Sequence, residues 1–263
     1  MSEPFATEEL RWMFEGACPK DVWNWYRRLA WASVTDGKGK PSAPQREQRS
    51  DLYFILDGRE DLGLKLRGDK LQLKTRLDQH SLAVEGTIKA TGRLESWHRF
   101  TWSSDGVQAA GFQAALADNQ RDGRRVDVAK IRWQSSLPID QIKAKSEKAG
   151  NGKAEAAKAK SGKRPGKGAD GKGADGKGSP TQVLSAQDEV RREPGFLMWE
   201  LVEIAFAKHQ FWSLSLETDP GEMKRGKTQK LMAKLLQDYP GPALTGKSSM
   251  GYPAMLLGAL GAD

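Results

Sequence analysis

The sequence predicts an α+β, mainly β fold: a closed antiparallel eight-stranded β-barrel with a few flanking helices. Three observations predict it. About eight segments alternate apolar and polar residues with the period of two that marks a strand. Charged residues recur on one face of these segments while leucine, tryptophan and phenylalanine fill the other. Strands in that number, with few helices to cover them, tend to close on themselves and so remove their edges. If the apolar faces pack outward against helices, the charged faces line the lumen, an expensive arrangement unless water, metal or a polyanion fills it.

In residues 8–14 (EELRWMF), Leu10, Trp12 and Phe14 alternate with Glu9, Arg11 and Met13, which predicts a strand with a bulky buried face. Pro19 opens a helix over PKDVWNWYRRLAW, since proline suits a first turn and Asp21 suits the positive N-terminal end. Residues 36–43 read as a loop. Residues 51–77 predict three short strands: Leu52, Phe54 and Leu56 alternate in the first, Leu62, Leu64 and Leu66 in the second, Leu71 and Leu73 in the third. The leucines share one face. The opposite face carries Lys65 and Arg67, then Lys74 and Arg76, and the polar turn Gly68-Asp69-Lys70 makes the last two strands a hairpin. Like charges side by side on a hairpin repel, so carboxylates or an anionic ligand must offset them.

Residues 82–89 and 91–102 predict two further strands, the second placing Arg93, Glu95, Trp97 and Arg99 on one face. Trp97 is set apart from the core tryptophans 12, 23, 25, 199 and 212, because it sits among charges where it could cover a base or stack on an arginine. Residues 107–118 predict a short helix. Residues 124–134 predict a strand with Lys130 and Arg132 alternating. Residues 195–206 and 211–218 form the last strand pair, with Glu200 on one face of the first strand and Glu203 on the other, and Glu217 sharing a face with Ser213 and Ser215. A helix follows over residues 226–237, and the tail GKSSMGYPAMLLGAL is a loop running into an apolar helical turn.

Residues 143–180 interrupt this pattern with Lys, Gly and Ala and a repeated GKGAD. Such a stretch buries no core and is expected to be disordered. It divides the chain into residues 1–142, the first part of the barrel, and residues 181–263, the remainder with the C-terminal helices. It also explains the charge: ten lysines and Arg164 against four acids give it +7 of the chain's net +8. A basic site in the folded part must therefore come from local arrangement.

Other classes drop out. No run approaches the roughly 18 apolar residues of a membrane helix, and MSEPFATEELRW lacks a signal pattern. One cysteine, Cys18, allows neither an internal disulfide nor a cysteine metal cluster, and His80, His98 and His209 show no paired metal spacing. A cytoplasmic protein without membrane attachment is expected.

Five short motifs, taken in order, carry a family resemblance: DLYF at 51–54, LGLKLRG at 62–68, LQLKTR at 71–76, FWSLSLE ending at Glu217, and SSMGYPAMLL at 248–257. Together they resemble the CYTH superfamily of triphosphate tunnel metalloenzymes, which includes class IV adenylyl cyclases, thiamine triphosphatases and inorganic triphosphatases. The resemblance implies a tunnel-like barrel that holds a triphosphate or polyphosphate ligand. Arg11, Lys65, Arg67, Lys74, Arg76, Arg93, Lys130 and Arg132 would grip its phosphates, and Glu9, Glu200 and Glu217 would hold Mg2+ or Mn2+. The chain departs from the family at its first strand. Where the family carries Glu-x-Glu-x-Lys, this sequence reads Glu9-Leu10-Arg11-Trp12-Met13, and an arginine repels a cation instead of coordinating it. Two main functions follow: a metal-dependent triphosphatase, or alternatively a non-catalytic polyphosphate-binding module with a degenerate metal site. A third uses the lysine-rich segment as an arm for nucleic acid. A fourth has the charges pairing internally in a scaffold for a partner.

Overall fold

A computed structural model of the chain describes residues 5–33, 44–103, 124–139 and 195–261. The loop at 36–43, the helix at 107–118 and the lysine-rich segment at 143–180 lie outside the described residues. Eight antiparallel strands close a barrel in the order β1-β5-β4-β3-β2-β6-β7-β8. They are β1 (Phe5–Glu15), β2 (Gln45–Ile55), β3 (Leu62–Arg67), β4 (Lys70–Glu85), β5 (Lys89–Ser103), β6 (Arg124–Pro138), β7 (Phe196–Phe206) and β8 (His209–Thr218). Three helices are described: α1 (Lys20–Ser33), α2 (Gly226–Leu235) and α3 (Tyr252–Gly261). None is long and apolar enough to cross a membrane.

The alternation of each strand becomes an inside and an outside. On β1, Leu10 and Trp12 point outward and are fully buried, in a core shared with Val22, Trp25 and Tyr26 of α1 and Leu231, Met232 and Leu235 of α2. Trp199, Leu201, Trp212, Leu214 and Leu216, from the outer faces of β7 and β8, complete it. Backbone carbonyls satisfy the polar tips of Trp12, Trp25 and Tyr26, as buried Tyr and Trp usually require, whereas the Trp199 indole and Tyr239 hydroxyl are buried without a hydrogen-bond partner among the described residues. The Tyr26 hydroxyl donates to the carbonyls of Trp133 or Trp199, and the Trp12 indole donates to Thr91. This bulk covers β1, β7 and β8. The predicted leucine face of β2, β3 and β4 is less enclosed: Leu64 and Leu71 are buried, but Leu52, Phe54, Leu66 and Leu73 are only half-buried.

Two strands are longer than the alternation of leucines predicts. The segment predicted as 71–77 and the first half of that predicted as 82–89 are one strand, β4, with a register shift between Arg76 and Asp78, and residues 86–88 turn the chain into β5. A bulge turns the pleat over, which explains why the polar run Asp78-Gln79-His80-Ser81 loses the leucine pattern without leaving the sheet. Likewise β2 begins at Gln45, and the stretch before Asp51 pairs along β6 from Gln45↔Gln134 to Ser50↔Ala129.

The lumen has two layers. The inward residues Met13, Tyr53, Ile55, Val126, Val128, Val202, Ile204 and Phe206 form an apolar cluster with Met255 and Leu256 of α3. The tail that precedes α3 is fixed across β1 and β5: the Met13 amide donates to the Ser248 carbonyl, and the Arg93 amide to the Ser249 hydroxyl. That anchor brings Tyr252 to the inward side of Tyr53, where the two rings stack at 5.9 Å. The tail thus plugs one half of the lumen with apolar side chains and leaves the other half to the charges.

Close packing at the tail anchor gives a stability test. A Cβ added at Gly92 meets Leu10 Cδ1 at 2.5 Å and Ser249 Oγ at 3.1 Å, whereas one added at Gly258 meets nothing within 4 Å. Gly92→Ala is expected to lower the unfolding free energy by about 1–3 kcal/mol through overpacking. Gly258→Ala, within α3, should leave it unchanged or raised. Chemical denaturation of both variants checks this.

Candidate functional site

The charged half of the lumen encloses a cavity of about 130 Å³. Eight cations line it: Arg11, Arg49, Lys65, Arg67, Lys74, Arg99, Lys130 and Arg132. Three carboxylates line it with them: Glu9, Glu200 and Glu217. The predicted phosphate-gripping residues Arg11, Lys65, Arg67, Lys74, Lys130 and Arg132 are therefore brought together, as are all three predicted metal-ligating glutamates. Arg76 and Arg93 are not among the lining residues. Arg76 is drawn aside by Glu95, to which its Nη1 donates at 2.9 Å, and lies over the Trp97 ring at 5.8 Å. Arg93 sits on the same inward face of β5, beyond Glu95, and remains half-buried.

Two ion clusters hold seven of the eight cations, and Arg99 lies over the Phe5 ring at 5.4 Å. The first is centred on Asp51, which is wholly buried. Its Oδ2 accepts from Lys65 Nζ at 2.9 Å and Lys130 Nζ at 3.3 Å, and its Oδ1 from Arg67 Nε at 3.0 Å, with Arg49 Nε at 3.4 Å. The second is centred on Arg11. Its Nε donates to Glu9, its Nη2 to Glu200 at 3.3 Å and its Nη1 to Ser213 at 3.0 Å. Lys74 donates to the other oxygen of Glu9 at 2.6 Å, and Arg132 binds the other oxygen of Glu200 at 3.1 Å and Glu47 at 2.6 Å.

Burial and pairing pull these groups in opposite directions. Burial alone raises a carboxyl, yet Arg11 and Lys74 hold Glu9 well below the ordinary range. Lys65, Lys130, Arg67 and Arg49 do the same for Asp51. Arg132 and Arg11 bring Glu200 down to about 2. The lysines move the other way. Burial, reinforced by Arg67, lowers Lys65 well below the ordinary lysine value despite Asp51. Burial takes Lys130 down to about 7, with Asp51 opposing and Arg49, Arg67 and Arg11 assisting.

Aromatic rings form the rest of the wall. Lys130 Nζ lies 3.6 Å from the Tyr252 ring centroid and 4.6 Å from that of Tyr53, and its ammonium donates to the Tyr53 hydroxyl at 2.7 Å. Arg11 sits over Tyr252 at 4.9 Å. Trp97 is buried, with Lys74 over its ring at 5.2 Å and its indole donating to Glu95 at 3.2 Å. The ring set apart in the sequence is thus part of the site and stacks with cations.

Sequence reasoning missed Asp51 and Arg49 as site residues, together with Glu47 behind them. The signal was present: Glu47, Arg49 and Asp51 alternate within QREQRSD. The stretch contains no apolar residue, so the usual marker of a strand's buried face was missing. Tyr252 stood in the tail motif without an assigned role.

No protein-family model matches the chain, and no curated protein matches it.

Among the described residues, no group of three or more His, Cys, Asp or Glu is arranged to hold a metal ion. The guanidinium of Arg11 bridges Glu9 and Glu200 instead. Removing it leaves two buried carboxylates short of a partner, a loss that costs about 3–5 kcal/mol when a buried pair is broken. Arg11→Met is expected to destabilise the fold by that amount in urea, while Arg59→Met, which breaks the exposed pair with Asp61, changes nothing measurable. The depressed carboxyls also set an acid window. Their contribution is complete above the unfolded carboxyl value of about 4 and is lost as pH falls toward the Glu200 value of about 2. Thermal unfolding of the native chain should therefore weaken steeply between those limits.

Proposed function

We propose that the charged half of the lumen binds a compact polyanion of the triphosphate or polyphosphate class, and does so without a divalent metal. The observation that carries this reading is the charge balance of an enclosed space. Eight basic side chains face three carboxylates around the cavity, and adding buried Asp51 and half-buried Glu47 leaves basic groups three in excess when all are protonated, the charge that Lys65 and Lys130, both lowered by burial, would carry in full only with an anion beside them. Uncompensated charge in a low-dielectric interior is costly. A ligand with several negative charges offsets it and gains charge-assisted hydrogen bonds from arginines preset by their carboxylate partners.

Metal assistance would need carboxylate oxygens turned toward an ion. The donor set does not fit that need. Both oxygens of Glu9 and both of Glu200 accept from Arg11, Lys74 or Arg132, and the guanidinium between them repels a cation. Arg11 supplies in fixed form the positive charge that a metal would otherwise bring.

Titration calorimetry of the full chain with tripolyphosphate, in the presence of a chelator, tests this. Binding is expected without metal. Lys74→Gln and Arg132→Gln should each weaken it about tenfold or more, as loss of one charge-assisted bond implies. Absence of binding at millimolar ligand overturns the polyanion reading. Release of phosphate on adding Mg2+ or Mn2+ overturns the metal-free one and makes the site a triphosphatase.

A further inference from the structure

Asp51 is the one carboxylate of the ionic layer with no exposed surface, and it is not among the residues lining the cavity. A ligand in the lumen would not touch it. Yet its two oxygens bind Lys65, Arg67 and Lys130, all of which do line the cavity. Three strands meet there: β2 contributes the carboxylate, β3 the first two cations and β6 the third.

We infer that Asp51 is the positioning residue of the anion site, aiming Lys65 and Lys130 into the lumen and favouring their charged form. This rests on the polyanion reading above. Apart from carboxylates already engaged by arginines, the other charged and titratable groups around the two lysines oppose protonation or are neutral at neutral pH. Arg49 from β2, Arg67 from β3 and Arg11 from β1 are cations that disfavour another positive charge nearby. Tyr53 from β2 and Tyr252 from α3 present a hydroxyl and ring faces, and their own ionisation is pushed above its ordinary range, chiefly by burial. Glu47 and Glu200, the neighbouring carboxylates, are engaged by Arg49, Arg132 and Arg11. Asp51 is the carboxylate that bonds both lysines, so its neutral replacement leaves four cations crowded without their counter-charge, and the two able to lose a proton do so.

The sign of the effect separates this from simple charge counting. Removing a negative charge near an anion site ordinarily tightens binding. Here Asp51→Asn should weaken it, because the net gain of one positive charge is cancelled by deprotonation of the lysines. Tripolyphosphate affinity of the native chain is expected to fall as pH rises through about 7, the value of Lys130. For Asp51→Asn the fall should come at least one pH unit lower, so that affinity at pH 7.5 drops about tenfold and recovers toward pH 6. Equal or tighter binding by the variant at pH 7.5 overturns the inference. Asp51→Glu, which keeps the charge, should retain the native profile.

A second measurement needs no ligand and so stands even if tripolyphosphate does not bind. Titration of the lysine ε-methylene signals by NMR should show the low midpoints of Lys65 and Lys130 moving down by a unit or more in Asp51→Asn; unchanged midpoints overturn the inference. If that variant does not fold, Asp51→Asn combined with Lys130→Met removes one cation with the carboxylate, and Lys65 reports alone, its midpoint expected below that of Lys130→Met.

Discussion

Closure of the sheet is the constraint on which the rest of this structure depends. An open sheet can turn a charged face to bulk water, where ion pairs contribute little. A barrel cannot. Every inward residue of the eight strands shares one narrow space, so each charge placed there must find a partner on its own strand or on one close by around the ring. The sequence meets that demand by dividing the strands. Carboxylates enter mainly from β1, β2, β7 and β8, and cations mainly from β3, β4, β5 and β6. The pairs therefore run between strands that are distant in sequence: Glu9 to Lys74, Asp51 to Lys130, Glu200 to Arg132. They hold the ring together as well as neutralise it.

Much of this was legible before the fold was known, and the reason is periodicity. A period of two with tryptophan or leucine on one face and charge on the other can satisfy both faces only if one is covered by helices and the other enclosed. The inward placement of Glu9, Arg11, Lys65, Arg67, Lys74, Lys130, Arg132, Glu200 and Glu217 follows from that alternation. What the alternation could not carry was any segment that breaks it. The bulge between Arg76 and Asp78 disguised β4 as two strands. The apolar-free start of β2 hid Arg49 and the length of the strand around Asp51. Arg76 and Arg93 were placed by face correctly, but face does not say which neighbour captures a side chain, and Glu95 captures Arg76 before it reaches the cavity.

The plug was illegible for a different reason. Met13, Val202 and Ile204 sit on the same inward faces as Arg11 and Glu200, one or two pleats further along. Read singly they look like exceptions in charged faces. Only the strand register aligns them into an apolar layer, and only the tail, tied to β1 and β5 through Ser248 and Ser249, brings Met255 and Leu256 to fill it. Long-range pairing decides this, and local pattern carries little of it. The layer confines the charges to one half of the lumen, which concentrates the positive field that a polyanion would meet.

The choice of cation within that half follows the same logic. Arginine keeps its charge under any burial found here, whereas lysine can lose a proton. Arg132 and Arg67, on the inward faces of β6 and β3, present a fixed fork of donors. Lys130, whose side chain is only 2% exposed and packed against Tyr53 and Tyr252, occupies the most enclosed cationic position. An arginine there would lock a charge into the least solvated part of the barrel. A lysine lets the local charge fall or rise by a proton, and burial, opposed by Asp51, sets the pH at which that happens. The ionic layer thereby combines a constant part, set by guanidinium groups, with an adjustable part set by one carboxylate and two amines.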